Sequence, residues 1–175
     1  MVGLDAWNGD DVPFRGSIEH PARPSWDETW MAVADEMAKR SLCVGRQVGA
    51  VIVDRNNRVV ATGYNGPPAE FSTGGQRCGE WCQRQRERQS GAPLTYGLSC
   101  PTIHAELNAL VFADRRDYEG GTLYVSAACC QDCGKVVANS GVARVVMRLD
   151  ERDMHRNPHD TIGFIRGCGI DVRTV

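Results

Sequence analysis

From Ser25 onward the apolar positions Trp26, Trp30, Val33 and Met37 recur at spacings of four, three and four, the period of a helix that buries one stripe. Ser25 with Glu28 three residues later has the form of a capping box, and the helix is expected to end near Ser41. The period then shortens. Residues 47–54 (QVGAVIVD) and 58–64 (RVVATGY) are short, β-branched runs separated by the turn residues RNN, which predicts a β-hairpin stopped by GYNGPP.

After residue 102 helical and extended patterns alternate. Residues 103–113 read as a helix with Leu107, Leu110 and Val111 on one side, and 120–127 (GGTLYVSA) as a strand. Residues 130–141 (CQDCGKVVANSG) read as a helix with Val136 and Val137 inside and Gly141 as its stop. VARVVMRL is a strand, NPHDTIGFIRGCG a helix with Pro158 in its first turn and Gly167 or Gly169 at its end, and IDVRTV a last strand. Helix, hairpin, then αβαβαβ implies an α/β chain, a five-stranded mixed sheet with helices on both faces. Before this core, residues 1–24 hold three prolines and little periodicity and read as an N-terminal arm to a single domain over 25–175. Inside the domain, 67–102 is a long insertion rich in Gly, Pro, Gln and Arg. Its basic run, QRQRERQ, is read as a solvated helical turn in preference to an interaction patch.

Composition narrows the picture. With 42% hydrophobic and 24% charged residues in a chain of 175, the sequence is globular and of one-domain size. No apolar run approaches the roughly 20 residues that span a bilayer. The first sixteen residues carry three Asp and no apolar stretch with a cleavage site, so no secretory signal is expected and the predicted location is cytoplasmic. In a reducing compartment eight cysteines point to metal ligands, catalytic groups or buried thiols rather than disulfides. A net charge of -2 counts against a nucleic-acid phosphate partner.

Two segments carry chemistry, HAE at His104 to Glu106 and CCQDC at Cys129 to Cys133, each opening a predicted helix. Cys130 and Cys133, at i and i+3 on a first helical turn, point the same way, and the positive helix end favours the thiolate that zinc binds. His104 adds an imidazole. Three protein ligands leave a coordination position open, the mark of a catalytic rather than a structural zinc. Two thiolates offset much of the ion's charge, so an attacking water benefits from a neighbouring base. Glu106, two residues past the histidine, fits that role: it takes the proton of the water and passes it to a ring nitrogen and then to a departing amine. Each motif alone has a plainer reading, since C-x-x-C also serves as a redox pair and a helical Glu is usually at the surface. Their combination, H-x-E followed by C-x-x-C, is the signature of the zinc nucleobase deaminases.

The strings VGAVIV, GYNGPP, IHAELNAL and GTLYVSAACCQDCGKVVANSGVARVV, within Trp30 to Val175, resemble the deoxycytidylate (dCMP) deaminases of the cytidine deaminase-like fold. That resemblance implies a three-layer α/β/α arrangement, a catalytic zinc, and hydrolysis of dCMP to dUMP and ammonia. It implies also that Asn65 sits in the substrate pocket, although a turn residue is a competing account. One position departs from the family pattern: Cys129 stands where a proline usually precedes the first zinc cysteine. The i, i+3 spacing keeps Cys130 and Cys133 as the ligands.

Some relatives carry a second, structural zinc in the corresponding insertion, and Cys43, Cys78, Cys82 and Cys100 are candidates for it. Buried or free thiols, or a ligand set completed by a histidine such as His20, are the alternatives. Cys168 is expected in the core. A monophosphate substrate needs a cation, for which Arg46 is a candidate. The resemblance further implies a homo-oligomer, commonly a hexamer, and regulation by dCTP and dTTP. The rival functions are the same chemistry on tRNA adenosine or hydroxymethyl-dCMP, and a non-catalytic zinc protein that binds nucleic acid.

Overall fold

The computed structural model describes residues 22–68, 82, 90 and 100–175. The expected arm up to residue 21 (including His20), most of the insertion with its basic run, and Cys78 lie outside the described residues. The described elements are α1 (Trp26–Ala38), β1 (Gly49–Val53), β2 (Val59–Tyr64), α2 (Ala105–Val111), α3 (Arg115–Tyr118) and β3 (Thr122–Val125). There follow α4 (Gln131–Ala138), β4 (Arg144–Met147), a 3-10 turn (Glu151–Arg156), α5 (Pro158–Gly167) and β5 (Asp171–Thr174). The strands form one sheet in the order β2-β1-β3-β4-β5. β1 is antiparallel to β2 and β3, whereas β3, β4 and β5 run parallel, giving the mixed sheet the pattern predicts.

Because successive strand residues face opposite sides, the sheet divides into two cores. Val51, Val53, Tyr124 and Val146 meet Met31 and Ala34 of α1 on one face. Ala50, Ile52, Leu123, Val125, Val145 and Met147 meet α2, α4 and α5 on the other. The result is the expected α/β/α layering. The hairpin turn also forms where RNN stands, with Asn57 at φ 58° and Asp54 Oδ1 accepting the backbone N–H groups of Asn56 and Arg58 at 2.8 Å.

Helix α1 begins with the capping box, Ser25 N donating to Glu28 Oε2 at 2.7 Å and Glu28 N to Ser25 Oγ at 3.2 Å. Its innermost residues, however, are Met31, Ala34 and Ala38. The stripe begun by Trp26 lies to one side, with exposed Trp26 stacked on Trp30 at 5.5 Å between ring centroids. Small residues face inward because the helix lies almost on β1: a Cβ on Gly49 would stand 2.0 Å from the Ala34 carbonyl oxygen.

Helix α2 is shorter than predicted, and Val111, expected on the inner side, is 73% exposed. The inner face is Ala105, Glu106 and Ala109, again because a backbone passes close: a Cβ on Gly63 would lie 2.3 Å from the Ala105 oxygen and 2.5 Å from the Ala109 nitrogen. In α4 Val137 is buried but Val136 is exposed. The inward face of α4 is formed by Cys133, Gly134 and Val137, and Val136 lies about 100° around the helix from its centre. Cys168, expected in the core, is exposed just past α5. The 3-10 turn is an addition to the predicted elements, and it has a recognisable start: Asp150 and Asp153 form a reciprocal capping box.

Candidate metal centre and its cavity

His104 is the N-cap residue of α2, and its side chain makes no capping bond, which leaves the imidazole available. Cys130 is the N-cap of α4, and its sulfur accepts the Cys133 backbone N–H at 3.5 Å. The two helix starts face each other. His104 Nδ1 lies 3.2 Å from Cys133 Sγ and 3.4 Å from Cys130 Sγ, and the three atoms fall within 4.8 Å of one another.

This donor set fits a zinc ion. Tetrahedral bonds of about 2.0–2.3 Å to nitrogen and sulfur put adjacent donors about 3.6 Å apart, close to the separations seen. Electrostatics agree. Hydrogen bonds from Cys133 and His104 hold the Cys130 thiol down at about 4, so it is a thiolate at neutral pH. Its neighbour Cys133 is pushed up by that same bond to Cys130 and by burial, and donating to Cys130 raises His104.

Glu106 lies beside the trio on the first turn of α2 and is 3% exposed. Desolvation pushes its carboxyl above the usual carboxylate range, opposed by the charge of His104. Cys129 is buried outside the trio and hydrogen-bonds the Glu106 side chain, so the residue that departs from the family pattern touches the carboxylate rather than joining the ligands.

A cavity of about 240 Å³ opens over these groups, lined by His104, Glu106 and Cys130 and also by Arg46, Arg152 and Arg156. Asn65 borders it, but its amide serves the backbone: Oδ1 accepts Val48 N–H at 2.7 Å and Nδ2 donates to the Arg46 carbonyl at 2.8 Å. Asn108 likewise ties α2 to β2, Nδ2 donating to the Tyr64 carbonyl at 2.7 Å. Arg46 also reaches the cavity wall, yet its guanidinium is taken up by Asp150 and Asp153. Its charge is thus balanced within the fold by two carboxylates. Arg152 and Arg156, which the sequence reading passed over, line the same cavity. Their signal was the D-x-x-D cap that creates the 3-10 turn.

Of the second candidate set, Cys43, Cys82 and Cys100 all border this cavity, and Cys78 lies outside the described residues. Among the described residues only His104, Cys130 and Cys133 gather as a metal-sized trio.

A family model for the cytidine and deoxycytidylate deaminase zinc-binding region matches residues 24–149. The deoxycytidylate deaminase of Mycobacterium phage D29 is 43% identical over 131 residues, 71% of this chain and 95% of that protein. The Saccharomyces cerevisiae deoxycytidylate deaminase is 35% identical over 156 residues, 86% of this chain but only 45% of that longer protein. Among solved structures, the dCMP deaminase of cyanophage S-TIM5 in apo form superposes with a TM-score of 0.63 at 27% identity, covering 88% of this chain and all of that one. The same cyanophage enzyme in complex with dCMP and dUMP gives a TM-score of 0.60 at 25% identity over 89% of this chain.

Proposed function

Since this chain belongs to the cytidine and deoxycytidylate deaminase family, we propose that it is a zinc-dependent hydrolase converting dCMP to dUMP and ammonia. The observation that carries the reading is the placement of buried Glu106 beside the His104, Cys130 and Cys133 trio on the wall of one cavity. Similarity to the phage D29 enzyme over nearly its whole length supports dCMP as the substrate.

His104, Cys130 and Cys133 would hold the zinc ion, which when bound supplies the Lewis acidity that makes water a nucleophile near neutral pH. Glu106 takes one proton from the attacking water. Oxygen adds to C4 of the cytosine ring, Glu106 returns the proton to the ring nitrogen, and the amine leaves as ammonia after a further proton transfer. Burial suits this shuttle, because a carboxyl held above the usual carboxylate range keeps a captured proton more readily than an exposed one. Cys129 and the backbone of α2 hold the carboxylate in place, and Asn65 holds the loop after β2 against β1.

The direct test is ammonia release by purified protein over dCMP, CMP, deoxycytidine, dCTP and hydroxymethyl-dCMP. We expect the highest kcat/KM for dCMP. Preference for another member of the panel overturns the substrate, and no release from any of them overturns the enzyme reading.

The same reading includes a structural zinc on Cys43, Cys78, Cys82 and Cys100, supported by the shared border of three of them, and two zinc ions per chain are expected by elemental analysis. One per chain refutes it. It also includes a cytoplasmic homo-oligomer responsive to dCTP and dTTP; sedimentation with and without each nucleotide, alongside initial rates, tests the assembly and regulation.

A further inference from the structure

The 3-10 turn Glu151–Arg156 is an element that the pattern did not predict, and it carries a carboxylate with no part in the chemistry above. Asp153 is 1% exposed. Both Arg46 Nη1 and Nη2 donate to it, the latter at 3.2 Å, and the backbone N–H groups of Ala128 and Asp150 point at Oδ2 from 3.4 and 3.3 Å. Arg46 Nη2 also donates to Asp150 Oδ2 at 3.0 Å, and the Arg46 carbonyl accepts from Asn65.

One buried carboxylate thus joins three walls of the cavity: the segment before β1, the loop leading to Cys130, and the turn holding Arg152 and Arg156. A buried charge persists only when paired and hydrogen-bonded, and a two-pronged guanidinium contact fixes direction as well as distance. The pair fixes the position of the turn. Arg152 is bonded to Asp150, Nη2 to Oδ2 at 2.7 Å, and although its side chain is 74% exposed it lines the cavity.

We propose that Asp153 is a positioning residue for phosphate recognition, acting through Arg46 and the Ala128 amide to hold the turn whose Arg152 and Arg156 meet the nucleotide's phosphate. This rests on the nucleotide-monophosphate reading of the site. Arg46 then acts on the substrate through Asp153 rather than by touching it.

Asp153→Asn keeps the shape and removes the charge. In the full-length, zinc-loaded protein its KM for dCMP should rise about tenfold while kcat moves less than about threefold, the pattern of lost binding rather than lost chemistry. Competition by the product pair, which differs only in the phosphate, separates recognition from general damage: dUMP should weaken by about the same factor and deoxyuridine should inhibit as in the wild type. Arg46→Lys keeps a cation but not the fork, and should show a smaller rise in the same direction; it decides the matter if Asp153→Asn does not fold. A fall in kcat at unchanged KM, or equal weakening of dUMP and deoxyuridine, overturns the positioning role. Wild-type protein that does not act on dCMP would instead overturn the substrate reading itself.

Discussion

In the proposed reaction Glu106 is the residue that moves the proton, and its surroundings support that role. It is buried, hydrogen-bonded by Cys129, and close to three metal-binding side chains without being one of them. Glu106→Gln preserves volume and removes the proton acceptor. Zinc content should match the wild type while kcat falls by about 10²–10⁴-fold, the scale of general acid–base catalysis; elemental analysis with steady-state kinetics checks both halves. Turnover near the wild-type rate would show that another group moves the proton. At this scale the metal ligands were legible because one-turn spacing and helix starts are local properties. Less legible were residues whose partners lie far along the chain. Arg46 meets carboxylates more than a hundred positions away, and nothing in its own neighbourhood announces Asp150 or Asp153.

Elements hold that residue geometry through close approach. The carbonyl of Ala105 and the nitrogen of Ala109 crowd Gly63, so a methyl group there has backbone on two sides and α2 must move outward, taking His104 at its N-cap with it. Gly63→Ala should lower both the melting temperature and the zinc bound per chain, at an overpacking cost of about 1–3 kcal/mol. Gly163→Ala on α5 is the control: nothing lies within 4 Å of the added Cβ, and stability should hold or rise by about 0.5–1 kcal/mol.

Helix α1 is secured differently. Asp27 accepts both Nη atoms of Arg144 at 2.8 Å, the Tyr124 hydroxyl at 2.9 Å and Arg173 at 2.9 Å, tying the helix to β3, β4 and β5. The Arg144 guanidinium foremost holds its carboxyl below the ordinary value. A depressed pKa contributes stability that is complete above the unfolded value and is lost as pH falls through the folded one. Asp27→Asn should therefore cost about 1–3 kcal/mol at neutral pH, with the gap in melting temperature closing below about pH 4. A gap independent of pH would mean that the charge is immaterial.

In the whole molecule the metal centre is also a cross-link. His104 and Cys130 cap helices on either side of β3 in the chain, so an ion held by the trio joins α2 to α4. Whatever binds the folded state alone stabilises it. Chelation should lower the melting temperature, added zinc should restore it, and Glu106→Gln protein should respond as the wild type does because Glu106 is not a ligand. Insensitivity to chelator in both proteins would sever the metal from the fold.

The alternation of periods along the chain determined the element order, the five-stranded mixed sheet and the helix starts that bear His104, Cys130 and Cys133. Those features depend on neighbours within a turn or a strand, where side-chain period and capping chemistry act directly. Tertiary structure decided which face each helix buries. Ala34 and Ala109 displaced larger residues from the closest contacts because Gly49 and Gly63 bring backbone against backbone, which a hydrophobic count does not register. It decided, too, that Arg46 is paired with Asp153, and that two further arginines on the cavity wall come from a turn capped by two aspartates. Ion pairs and cavities arise from segments that meet only after the sheet has formed, and their partners are set by topology rather than by distance along the sequence.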